Sequence, residues 1–318
     1  MTHVRSHKRN KAAMKAFAIF FTSFLLIIFC APEARGNALS VDLELRTHVR
    51  TDRLHWHIAG GNVNILSELI TEDIDILQVG LRAKLTKNNY VFFAEGAYGT
   101  IRSGKTTDRD YRGDDRTGLY SESVSDISGR NARDLSAGAG RHFHFNSNRY
   151  RLTPLIGASH HRLRLLKTDG MQTVATPGET PPVGPIPGLA STYDATWNAL
   201  WAGGKFMVRA SESIELRAAY RYHWFDYRAD AGWNLRQDLA QPVSFTHRAS
   251  GSGFDVDISC RYALSAQAGI SFSFLHRERK AENGTDTTYL ATGQQFDIPL
   301  NKVSWRSQSV LAGIEYRF

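Results

Sequence analysis

Few residues in this chain could staple or divide it. It has two cysteines, Cys30 and Cys260, and nine prolines in 318 residues. Five of those prolines sit in "PGETPPVGPIPG", from Pro177, which reads as a stiff exposed loop, so no Pro-rich linker separates globular blocks. A long hydrophobic run is also lacking. The longest, at 17–29, is about 13 residues, short of the roughly 20 that a spanning helix requires. Arg5, Lys8, Arg9, Lys11 and Lys15 precede it and "APEARGNALS" follows it, the layout of a secretory signal peptide over residues 1–36, cleaved near Asn37. Phe29 is too large to precede a lipidated cysteine. Cleavage leaves Cys260 alone, without a partner for an internal disulfide. An excess of one charge is missing too. The first 36 residues hold six of the 39 basic and one of the 31 acidic residues, leaving 33 against 30. With no stripe of Lys and Arg interleaved with aromatics, a nucleic-acid partner is excluded.

What the mature chain, 37–318, does have is alternation. Back from the C-terminus, Phe318, Tyr316, Ile314, Ala312 and Val310 share one face and Arg317, Glu315, Gly313 and Ser309 the other, the period of a strand. A free terminus frays, so a patterned one is expected to be held on both edges, as a barrel's closing strand is. Further strands read from Val41, Asp73, Tyr90, Ala132, Arg149, Thr196, Ser213, Phe245 and Ala266, ten in all. Short turns at Thr86 and Asn146 contrast with long polar connections at 105–125, 170–190, 230–243 and 281–297. These features predict an all-β fold, a ten-stranded antiparallel transmembrane β-barrel in the outer membrane of a Gram-negative bacterium. From Ser213, Leu216, Ala218, Tyr220 and Tyr222 alternate with Glu215, Arg217, Ala219 and Arg221: one face for lipid, one for a polar lumen. The same parity puts Cys260 among lipid-facing residues as a small apolar filler. Wide aqueous channels use 16 to 18 strands, so lumen charges here are expected to pair and fill the barrel.

Chemistry concentrates in "TTDRDYRGDDRTG", from Thr106. Asp108 and Asp110 project from one face of an extended strand at roughly 7 Å spacing. Like charges so placed raise one pKa, and such a pair can hold a proton or position a water; a solvated acidic loop accounts for the same residues. A calcium loop fails, since Arg112 and Leu119 stand where ligands belong. Adjacent His160 and His161 point to opposite faces, which disfavours a metal site there, and neither metal nor cofactor is expected. Arg162, Arg164 and Lys167 could bind lipopolysaccharide phosphates. Trp197, Trp201, Trp224 and Trp233 read as girdle or rim aromatics.

The strand order, the long connections and "TTDRDY" after "AYGTIRSGK" resemble the omptin family of outer-membrane aspartyl proteases, whose ten-stranded barrel carries an Asp-x-Asp pair that Asp108 and Asp110 match. "DRDYRGDDRTGLYSESVSD", "LTPLIGASHH", "LASTYDATWNALWAG" and "YHWFDYRADAGWNLRQDLAQPVSFTH" more closely resemble the Protochlamydia outer membrane protein family, omptin-like in outline. Omptins place a second dyad, Asp-x-His, at the end of the seventh strand. The segment here is "RADAGWNLRQDL", with Asp230 but no histidine two residues on; His223 and His247 are the nearest substitutes. A histidine base contributes typically 10²- to 10⁴-fold. The resemblance therefore implies a structural or surface-interaction barrel without efficient proteolysis, the alternative being an omptin-type protease in which Asp108 and Asp110 activate water.

Overall fold

The structure, a computed structural model, describes residues 39–318, so the expected leader lies outside the described residues. Its strands are β1 (Ser40–Gly60), β2 (Val63–Lys87), β3 (Tyr90–Tyr111), β4 (Leu119–Ile127), β5 (Asn131–Arg141), β6 (Phe143–Phe145), β7 (Tyr150–Val174), β8 (Gly184–Ile186), β9 (Ser191–Arg209), β10 (Ile214–Gly232), β11 (Phe245–Ala263), β12 (Ala268–Tyr289) and β13 (Gln295–Arg317). β4 and β5 share one place in the wall between β3 and β7, with β6 pairing β7 below them and β8 a short flap on β7. The wall thus has ten positions, all pairings antiparallel. The patterned terminus closes it: β13 pairs β1 from Asp42↔Arg317 to Ile58↔Leu300, and the Phe318 amide donates to the Val41 carbonyl at 2.9 Å.

A tilted strand crosses a bilayer in about 9–11 residues, yet β2 and β7 each run 25. The surplus corrects the expectation of long external loops. β3 continues to Tyr111 and β12 to Tyr289, so most of 105–125 and 281–297 is strand, and β1 and β2 meet at a two-residue turn across Gly61 and Asn62. On the periplasmic side Asn88 and Asn89 both take positive φ, 50° and 68°, the turn that matches strand twist.

Period two persists along these long strands, but its phase reverses partway up. On β1 Leu45 and Val49 point out and Glu44, Arg46, His48 and Arg50 point in; beyond Asp52, Arg53 faces out while Leu54 and Trp56 are buried. On β10 Tyr220 and Trp224 face out against Arg217, Arg221 and His223, and then Asp226, Arg228 and Asp230 face out against buried Phe225, Tyr227, Ala229 and Ala231. β7 turns over between Ile156 and Arg162. The lower half is therefore apolar outside and polar inside, the upper half polar outside and apolar inside. Lipid surrounds the first and water the second.

Inside the lower half most charges are paired. Glu95 accepts from Arg82 at 2.8 Å, Arg221 at 2.9 Å and Arg46 at 3.1 Å. Glu315 accepts from Arg217 and Arg261, both at 2.7 Å. Higher up, Asp134 meets His161, Arg50 at 3.0 Å and Arg277 at 3.4 Å, and Asp52 takes Arg50 together with the Trp305 indole N–H at 2.9 Å. Above this layer one apolar cluster, with Leu54, Trp56, Leu69, Leu163, Trp197, Tyr227 and Trp305 among its members, fills the lumen. Trp197 and Trp201 are each 2% exposed and point inward, and Trp233 packs on the cluster. Of the four tryptophans read as girdle or rim aromatics, Trp224 faces outward among the surface aromatics, at 54% exposure, and Trp233 lies at the upper end of the barrel beside Lys167.

Candidate functional site

Asp108 and Asp110 stand on the upper half of β3, opposite Leu69 and Ser67 of β2. Leu69 belongs to the apolar fill, so both carboxylates point inward. Lys167 of β7 donates to Asp108 Oδ2 at 2.8 Å, and its ammonium lies 4.8 Å from the centre of the Trp233 ring. Trp233 begins the 233–244 connection, which folds over the mouth. Asp110 accepts hydrogen bonds from the side chains of Ser67 and Ser121. Burial first, and the charge of Asp108 second, push the Asp110 carboxyl from 3.8 up to about 6. This part of β3 is beyond the lipid-facing band, which ends on that strand near Tyr98. The pair can therefore hold a proton near neutral pH, with an ammonium rather than an imidazole beside it.

β10 brings no second dyad. Asp230 is exposed, alternating with Ala229 and Ala231, which are each 1% exposed; the inward places at the outer end of this strand are alanines, packed into the fill. Neither substitute histidine is directed at the acidic pair. His223 lies lower in the lumen, its Nε2 3.1 Å from Asp255. His247 sits at the level of the fill, with Nε2 2.9 Å from Asp286 and Nδ1 2.8 Å from the Tyr193 hydroxyl, which in turn meets the Tyr227 hydroxyl at 2.5 Å. Trp56 packs edge-on against the His247 ring at 4.8 Å. Asp286 went unremarked in the sequence because it falls in a segment that reads as loop; its direct register with His247 across β11 and β12 becomes visible only once those strands extend.

The basic group expected to act together is split. Arg162 and Arg164 point outward, each donating to Asp194 Oδ2 at 3.1 Å, with Arg130 donating to its Oδ1 at 3.1 Å. Lys167 points inward, to Asp108. The sequence carried this signal, since Lys167 shares the odd parity of buried Leu163 and Leu165 while the arginines are even. His160 faces out, to Asn198 at 2.7 Å, and His161 faces in, to Asp134. Among the described residues no group of three or more His, Cys, Asp or Glu side chains could hold a metal.

A model of the Protochlamydia outer membrane protein family matches residues 44–318. Among solved structures, the outer membrane protease OmpT of Escherichia coli is similar to this chain with a TM-score of 0.70 at 16% identity, covering 90% of this chain and 99% of OmpT. That likeness is one of fold. The attachment invasion locus protein Ail of Yersinia pestis matches at a TM-score of 0.28 and 9% identity over 88% of this chain and 98% of Ail. No curated protein matches.

Proposed function

From the premise that the chain belongs to the Protochlamydia outer membrane protein family and is an integral outer-membrane β-barrel, we propose that it serves as a sealed structural or surface-interaction barrel without efficient proteolysis. The observation that carries this reading is the packed mouth. A hydrolytic cleft needs a nucleophilic water between an acid and a base, whereas here Asp108 is ion-paired to Lys167 beneath Trp233, and Ala229 and Ala231 fill the opposite wall. On the outer wall, Arg130, Arg162 and Arg164 gather on the single carboxylate of Asp194 just above the apolar band. Three cations on one anion leave positive charge over, which suits the phosphates of lipopolysaccharide. Lys167 takes no part in that contact.

The second reading, an omptin-type protease using Asp108 and Asp110, is favoured by one feature, the Asp110 carboxyl near 6. Incubating refolded protein with peptides containing paired basic residues, with and without lipopolysaccharide, separates the two. No turnover is expected. Turnover that disappears in the Asp108→Asn, Asp110→Asn double variant would overturn the structural reading.

A further inference from the structure

Near the periplasmic end of the lumen lies a cavity of about 60 Å³ whose polar walls are almost entirely cationic: Arg82 and Lys84 from β2, His142, Arg151 from β7, Lys205 from β9 and Arg221 from β10. No carboxylate lines it. Three of these cations are compensated from outside the cavity, Lys84 by Asp42 at 2.7 Å and Arg82 and Arg221 by Glu95. His142 is hydrogen-bonded to Thr153 at 2.8 Å. Arg151 and Lys205 have neither an ion pair within 4 Å nor a side-chain hydrogen bond among the described residues. Both are part-buried and sit on adjacent strands of one wall, in the register Thr153↔Lys205 and Arg151↔Met207.

Two carboxylates of this end are committed elsewhere. Asp42 also takes Arg317 at 2.6 Å, and Glu215 takes Arg217 at 3.0 Å. Asp257 has no ion pair within 4 Å among the described residues and, from the adjoining central cavity, is the carboxylate that faces Lys205 at longer range. Two cations without a direct ion pair facing one small cavity are costly unless a counter-charge enters. Elsewhere in the lumen Glu95, Glu315, Asp134 and Asp255 each draw two or more cationic side chains. A water occupies about 10–15 Å³ of such a cavity, so this one has room for a few waters or one small oxyanion.

We propose that this cavity is a binding site for a small tetrahedral oxyanion, phosphate or sulfate, held between Arg151 and Lys205 and entering from the periplasmic end. The anion takes the place that Glu95 and Glu315 hold in the neighbouring clusters: Arg151 offers it a planar fork and Lys205 a point charge. His142 closes one side. The lipopolysaccharide contact on the outer wall is separate, because the lumen admits no acyl chain.

The test uses the whole barrel, refolded in phosphate-free detergent without lipopolysaccharide. Sodium phosphate, sulfate and gluconate are titrated at constant ionic strength, and the midpoint of heat-modifiable gel mobility is read. A saturable rise with phosphate and sulfate and a flat response to gluconate are expected. The rise should vanish in the Arg151→Gln, Lys205→Met double variant and persist in Lys280→Gln on the outer surface. An equal response to all three salts, or an unchanged rise in the double variant, overturns the proposal. Should the double variant not fold, wild-type crystals soaked in selenate decide: an anomalous peak between Arg151 and Lys205 supports the site, and its absence overturns it.

Discussion

The lower and upper halves of this barrel are built from the same strands, yet their interiors are held by opposite chemistry. In the lower half lipid covers the apolar face, so the lumen is free to be polar, and Glu95 alone gathers three guanidinium groups. In the upper half the same wall meets water. There the hydrophobic effect, about 25 cal/mol per Å², is available again, and the lumen becomes an ordinary core of Leu, Ile, Trp and Tyr. The period of the alternation is constant; its phase records which solvent each stretch of strand meets. A candidate site on the upper half therefore borders a hydrophobic core, with Asp108 opposite Leu69 and ion-paired to Lys167.

If the halves differ in this way, the largest single effect belongs to the polar one. Asp134→Ala leaves Arg50 and Arg277 without a shared anion inside the lumen and should destabilise by ~3–5 kcal/mol, read from urea unfolding of refolded protein. A cost below that of a surface substitution would mean that the lower lumen is wet and the contrast false. In the upper half Leu163→Ala removes a fully buried side chain and should cost ~2–5 kcal/mol through the cavity it leaves. Were Leu163 instead lining an open channel, its truncation would be nearly silent.

Much of this was legible. The ten wall positions, the closing terminus and the lipid face of β10 and β11 follow from alternation alone. The phase reversal was also written in the chain, in "LRAAYRYHWFDYRADAG", where aromatic parity changes at Trp224 and Phe225. It is easy to miss because strand and loop are ordinarily told apart by hydrophobicity, and a strand with a polar outer face and small inward alanines resembles a loop. Hence the external strands around Arg109, Thr173 and Asp286 read as connections, and Trp197 read as a girdle residue. The acidic pair was visible as a motif, but its lysine was not, since residues 59 apart in sequence meet only through register across β4 and β7.

A sharper version of the comparison stays on one face of one strand. Ile258 and Arg248 both point outward from β11, one below the reversal and one above it. Ile258→Arg should cost ~2–4 kcal/mol near mid-membrane. Arg248→Ile should change stability by no more than ~0.5 kcal/mol, as for most exposed positions. Equal costs for the two would remove the boundary between lipid and water from this part of the wall, and unfolding midpoints in lipopolysaccharide-containing micelles measure both.

The last effect concerns Asp110 and is one of pH. Its carboxyl titrates near 6 in the folded barrel against 3.8 ordinarily, so the folded state binds this proton more tightly than the unfolded chain does. Stability is then lowest where Asp110 is ionised, above pH 6, and is regained as pH falls from about 6 towards 4. Discounted for partial solvent contact, the gain should be roughly 1–2 kcal/mol. It belongs to the mouth, where Asp110 holds Ser67 and Ser121, and not to the polar lumen below. Hydrogen exchange at the β3–β4 amides, corrected for intrinsic rates, should therefore be slower at pH 5 than at pH 7.5, with the β11–β13 amides in the membrane half unchanged. Asp110→Asn should abolish the difference. A pH response that survives the substitution would place the titrating group elsewhere in the mouth, and one that spreads to the lower strands would show that the two halves unfold as one unit.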